Sequence, residues 1–80
     1  MTDIDRIKFL EHLGNQIKKL RKERGLSLRQ LAQLCDIDYS DISKIEKGQR
    51  NIQISTLLEL TRGLDIHPKD LFDFKTDVHL

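Results

Sequence analysis

The sequence predicts an all-α fold of five short helices, and three observations predict it. Apolar residues recur every three or four positions instead of alternating. Of the 30 apolar side chains, 22 are Leu or Ile and only four are aromatic, which suits aliphatic ridges between small helices better than a sheet. Serine, aspartate, glycine and proline fall where helices start and stop. Eighty residues allow one small domain at most, expected to span 1–80 with its core at 13–72, and 38% hydrophobic residues make that core thin.

The first series, Ile4, Ile7, Leu10, Leu13, Ile17 and Leu20, gives one stripe on a helix from about residue 3 to 24, ended by Gly25. Gly14 inside it costs about 1 kcal/mol relative to Ala, so it marks a small bend or a close contact. Ser27 then caps a second helix, with Gln30 three residues on to return the bond and Leu26 and Leu31 as the hydrophobic staple. Leu28, Leu31, Leu34 and Cys35 are its candidate core residues, and it stops near Asp36.

The same device recurs eleven residues later, with Asp38 as cap, Asp41 at the third position and Ile37 stapled to Ile42. The third helix runs to about Lys47 and Gly48 closes it. Ile42 and Ile45 form its buried edge, which leaves Tyr39, Ser40, Ser43, Lys44 and Lys47 outside. Two short helices joined by so tight a turn, the second with an outward face of hydrogen-bonding groups and lysines, form a helix-turn-helix arrangement. Ile54, Leu57, Leu58, Leu60 and Leu64 mark a fourth helix to about Gly63, with Gln53 and Ser55 both candidate caps. A fifth short helix starts at His67-Pro68 with Leu71 and Phe72 as its apolar residues. Residues 73–80 are either a frayed tail or a piece that orders against a partner.

Charge sharpens this layout. The formal total is only +1, which by itself argues against nucleic acid. Between Asn15 and Arg50, however, nine basic residues face five acids, a local +4, while the flanks sum to −3. A solvated lysine-rich helix is the bland alternative, since cations also suit the C-terminal end of the first helix. No apolar run reaches membrane-spanning length, and the start, with Asp3 and Asp5, does not read as a signal peptide, so a cytoplasmic protein is expected. Cys35 stands alone and reads as a small core hydrophobe; His12, His67 and His79 lack metal-ligand spacing. Phosphate-loop, serine-elbow and metalloprotease motifs are missing, so neither an enzyme, nor a cofactor, nor a small-molecule ligand is expected.

The stretches IKKLRKERGLSLRQLAQL, DISKIEKGQRN and LLELTRGLDIHPKDLF occur together at set intervals, and with them residues 13–72 resemble the lambda-repressor-like helix-turn-helix domains of the Xre and Cro type. The resemblance implies a sequence-specific regulator that binds double-stranded DNA with its third helix in the major groove. By position it assigns base reading to Tyr39, Ser40 and Lys44, with guanine O6 and N7 as the target of Lys44. Tyr39 would meet a thymine methyl or a phosphate, and Ser40 would do either job. Ser27, Arg29, Ser43, Lys47, Gln49 and Arg50 are the implied phosphate contacts. Each of these side chains has a solvated-surface reading as well.

Two positions depart from the family. Leu28 stands where many members carry a phosphate-binding glutamine, a loss that Arg29 would replace. Asp41 stands where relatives often carry a neutral or aromatic group; it is read as the capping partner of Asp38, with cytosine N4 as its alternative. The resemblance further implies that Arg21 and Glu46 form a structural ion pair between the first and third helices. It implies a homodimer on a two-fold symmetric operator, with Leu64, Ile66, Leu71, Phe72 and Phe74 at the interface and contributions from Val78 and the region from Ile4 to Leu10. Phage Cro proteins and restriction-modification controllers are stand-alone members of this kind; RNIQI at 50–54 is similar to the controllers, whereas Tyr39, Ser40 and Asp41 are not. A protein-interaction module, an antitoxin or a coactivator, is the rival expectation, resting on the acidic C-terminal flank with Phe72 and Phe74.

Overall fold

A computed structural model describes residues 1–78, which form four α-helices and one short 3-10 segment: α1 (Asp3–Glu23), α2 (Leu28–Leu34), α3 (Tyr39–Glu46), α4 (Ile54–Leu64) and Pro68–Phe72. The expected fifth helix is thus the 3-10 segment. Its turn is drawn tight by Asp70 N–H donating to His67 O at 2.9 Å, and the buried Gln16 amide on α1 takes its exit carbonyls, Asp70 O at 2.9 Å and Asp73 O at 3.2 Å. Those carbonyls therefore need no continuing helix to satisfy them.

Helix starts follow local capping chemistry with two exceptions, α3 and α4. Thr2 and Asp5 exchange hydrogen bonds at the start of α1, and these bonds hold the Asp5 carboxyl below its usual range. Ser27 and Gln30 do the same for α2, at 2.8 and 3.1 Å. On α3 the expected Asp38–Asp41 box does not form: Asp38 has the extended backbone of a cap but its side chain caps nothing. Asp41 instead accepts from Arg50 Nη2 at 3.0 Å, because a guanidinium is a stronger partner for a carboxylate than a neutral amide. Gln53 precedes α4 without a side-chain cap.

The ends of α1, α3 and α4 share one solution, whereas α2 ends on Cys35 in extended backbone. Gly25 and Gly48 take positive φ after α1 and α3, and in each case the next residue's N–H returns to a carbonyl in the last turn: Leu26 to Arg21 O at 3.1 Å and Gln49 to Lys44 O at 2.9 Å. After α4 the left-handed position is held by Asp65, whose carbonyl accepts from Arg24 Nη2.

The core is aliphatic. Ile17, Leu31, Ile42, Leu60, Leu64 and Leu71 are fully enclosed, with Leu13, Cys35, Ile45 and Leu57 around them. Leu64 and Leu71 were expected at a dimer interface, but the monomer's own core takes them. Leu34 was expected inside and is instead 48% exposed, because it lies on the flank of α2, off the arc of Leu28, Leu31, Ala32 and Cys35. Ile4 and Ile7 are also exposed, so the enclosed part of the α1 stripe begins at Leu13. Burial pushes the Cys35 thiol up, and its Sγ donates to Leu31 O.

The tail is packed as far as it is described. Phe74 packs at a tilt against Phe9 of α1, with ring centroids 5.6 Å apart, and Thr76 hydrogen-bonds His12 Nδ1 at 2.9 Å. His79 and Leu80, which belong to the expected tail, lie outside the described residues.

Gly14 marks a close contact. A Cβ there would lie 2.5 Å from Glu46 O and collide with Ile45 O as well, so α1 and the last turn of α3 meet backbone to backbone. Gly14→Ala gains about 1 kcal/mol of helix propensity yet forces the two helices apart, at a cost of about 1–3 kcal/mol or more. Urea unfolding should therefore show a net loss of stability; a gain would mean that the helices separate freely.

Candidate nucleic-acid interface

The site is set by an ion pair. Arg21 Nε donates to Glu46 Oε2 at 2.7 Å and Nη2 to Oε1 at 3.0 Å, both side chains being buried, while Nη1 donates to Leu26 O at 2.8 Å. Bonding to Glu46 raises the Arg21 pKa against the opposing effect of burial. One guanidinium thus fixes the end of α3 against α1 and holds the turn that leads into α2. With Ile42 and Ile45 inside, the rotation of α3 is determined, and Tyr39, Ser40, Lys44 and Lys47 are exposed along its outer side, with Ser43 half-buried beside them.

Neighbouring charges sort into two groups. Arg21, Arg24 and Arg50 are engaged with Glu46, Asp65 and Asp41. Lys18, Lys19, Lys22, Lys44 and Lys47 make no ion pair among the described residues. Arg29 makes none either, but its guanidinium carbon sits 4.5 Å from the centre of the Tyr39 ring. The Ser27 hydroxyl oxygen accepts from Gln30 N–H at the start of α2, and Gln49 is exposed just past α3.

A cleft of about 410 Å³ opens between α1, the start of α2 and the end of α3, and its lining brings Ser43 and Lys47 together with Leu28, Asn15 and Lys18. Asn15 and Lys18 were not singled out from the sequence. The available signal was their spacing with Glu11, which puts 11, 15 and 18 on one helix face. Among the described residues no three His, Cys, Asp or Glu side chains converge as metal ligands would.

Residues 17–71 match the family model described as helix-turn-helix. The chain belongs to the helix-turn-helix (HTH_3) family. Control protein C.BamHI of Bacillus amyloliquefaciens is 34% identical over 77 residues, which cover 95% of this chain and 90% of that protein. The restriction-modification controller protein C.AhdI of Aeromonas hydrophila superposes with a TM-score of 0.77 at 40% identity, covering 79% of this chain and 96% of that one. The crystal structure of the controller C.Esp1396I as a tetramer with its natural 35-base-pair operator matches with a TM-score of 0.74 at 33% identity, covering 80% of this chain and 84% of that one.

The HTH_3 match takes in α2, α3, α4 and the C-terminal third of α1, so Arg21 and Glu46 both lie within it, whereas residues 1–16 do not. Removing one partner of a buried pair leaves the other charged and unsatisfied. Glu46→Ala should therefore cost about 3–5 kcal/mol, against about 0.5 kcal/mol or less for the exposed Glu11→Ala. Thermal unfolding of the two variants decides it: equal losses would show that the pair bears no structural load.

Proposed function

We propose that this protein is a DNA-binding transcriptional regulator, and no enzyme, that acts in the cytoplasm with α2 and α3 as its helix-turn-helix and α3 in the major groove. One observation carries the reading: the buried Arg21–Glu46 pair orients α3 so that its outer side presents Tyr39, Ser40, Lys44 and Lys47, next to α1 lysines that have no ion-pair partner among the described residues. Tyr39, Ser40 and Lys44 are the base readers, and Ser27, Ser43, Lys47 and Gln49 hold phosphate. The operator-bound controller among its structural relatives supports the same activity here. No helix among the described residues is long and apolar enough to cross a membrane.

Oligomerisation belongs to this reading, with a homodimer on a two-fold symmetric site as its simplest form and half-sites about 34–36 Å apart. Leu64 and Leu71 being enclosed, the exposed apolar side chains nearest to them in the chain are Ile54, 70% exposed, Leu58 one turn on at 53%, and Phe72 on the 3-10 segment, and these are the ones proposed for a second copy; Ile4 and Ile7 at the start of α1 are exposed as well. Phe74 packs on Phe9 of the same chain, which also removes half of the aromatic pair on which the protein-interaction alternative rested.

Selection from a random duplex pool should enrich a two-fold symmetric sequence, and affinity for it should fall steeply with salt, since each neutralised phosphate contributes a slope of about −0.9. A flat salt response, or no enrichment, would falsify the regulator reading. Lys44→Ala should relax preference at one base pair per half-site by about 1–3 kcal/mol; uniform weakening on all sequences would reassign Lys44 to phosphate. Leu58→Glu should shift sedimentation toward the monomer with helicity kept, and an unchanged oligomer would place the interface elsewhere.

A further inference from the structure

The first turn of α3 carries Tyr39 and Ser40, two of the three residues proposed to read bases, yet its own cap is missing, since the Asp38 side chain makes no capping hydrogen bond. The turn is held from outside by two arginines. Arg29 of α2 lies over the face of Tyr39, the first residue of α3, at 4.5 Å. Arg50, beyond the end of α3, bonds Asp41 at 3.0 Å with both side chains roughly half exposed. A guanidinium over an aromatic face restricts the ring by a charge–quadrupole attraction, and a guanidinium on a carboxylate cancels the charge that would meet phosphate.

We infer that Arg29 and Arg50 are positioning residues that set DNA sequence preference through Tyr39 and Asp41, and are not phosphate contacts. The inference rests on the regulator reading and deepens it. Tyr39 is 45% exposed and has one face covered by Arg29, so its other face and its hydroxyl are what it offers to a base pair. Asp41 paired with Arg50 approaches DNA as a neutral unit; unpaired, it would repel the backbone and favour a cytosine N4 donor. The two arginines thus act in different ways on the same turn: one orients a reader, the other masks a charge. Both could instead follow the pattern of surface arginines that bind phosphate, and the two behaviours separate cleanly. A lost phosphate contact weakens all sequences alike and lowers the salt slope by about one per site whatever stands at positions 39 and 41; a lost positioning contact changes the preferred base, leaves the slope in the case of Arg29, and has no effect once its partner, Tyr39 or Asp41, is replaced.

The test is a pair of double-mutant cycles on the duplex enriched by the wild-type chain, with each variant checked for wild-type helicity. Arg29→Ala should weaken binding about two- to fivefold, the size of an exposed cation–π contact, with the salt slope unchanged and preference relaxed at the base pair that Tyr39→Ala also relaxes. In the Tyr39→Ala background the same substitution should then do nothing further. Arg50→Ala should weaken binding in the parent chain, and Asp41→Asn should restore it. Tyr39 is the single tyrosine in a chain without tryptophan, so loss of the stack in free Arg29→Ala should also alter the tyrosine band of the near-ultraviolet circular dichroism. Additive losses in both cycles, with slopes reduced by about one per site, would overturn the inference and leave the regulator reading standing. Failure of the wild-type chain to enrich any duplex would overturn both.

Discussion

The contact between α1 and the last turn of α3 is the constraint on which the interface depends. Two features meet there. Gly14 lets the backbones touch, and Arg21 spans the remaining gap to bind Glu46 through two nitrogens. A buried charge pair returns little net stability after desolvation, but its geometry is exacting. What it supplies is orientation: Glu46 cannot rotate away without stranding Arg21, so the outer side of α3 stays outward. The third bond of Arg21, to Leu26 O, extends that control to the turn before α2.

Electrostatics follow from the same placement. A total of +1 conceals a division between basic centre and acidic ends, and folding refines the division further. All four arginines of the basic segment are engaged within the chain, on Glu46, Asp65, Asp41 and the Tyr39 ring, and only Arg21 is buried. The lysines of α1 and α3 are left to solvent. This split suits the two chemistries, since a planar guanidinium holds carboxylates and aromatic faces in fixed geometry while a lysine acts as a mobile point charge. Long-range attraction to a polyanion thus falls to the lysines, and the arginines give shape to the surface that arrives.

Much of this was legible along the chain because it depends on neighbours three or four residues apart. The helices, the Ser27–Gln30 box and the glycine stops are local, and so is the alternation on α3 between Ile42 and Ile45 inside and the polar residues outside. The errors share a different origin. Asp41 carries all the marks of a capping residue, and only the return of the chain to Arg50 redirects it. Leu64 and Leu71 look like any apolar residues near a terminus until the packing of α4 and the 3-10 segment against α1 encloses them. Gln16 carries no sequence signal for capping a segment more than fifty residues away.

The sequence by itself determined an all-helical chain, the order of its elements, the basic segment and the family, because periodicity, caps and charge density are properties of short stretches. The pairing of Arg21 with Glu46 was expected from the resemblance and is found; the tertiary structure alone decided the other partners, Arg29 with Tyr39 and Arg50 with Asp41, and which apolar side chains stay exposed. A long polar side chain can reach any of several groups of suitable chemistry, and which of them lies within about 3 Å is set by how the helices pack.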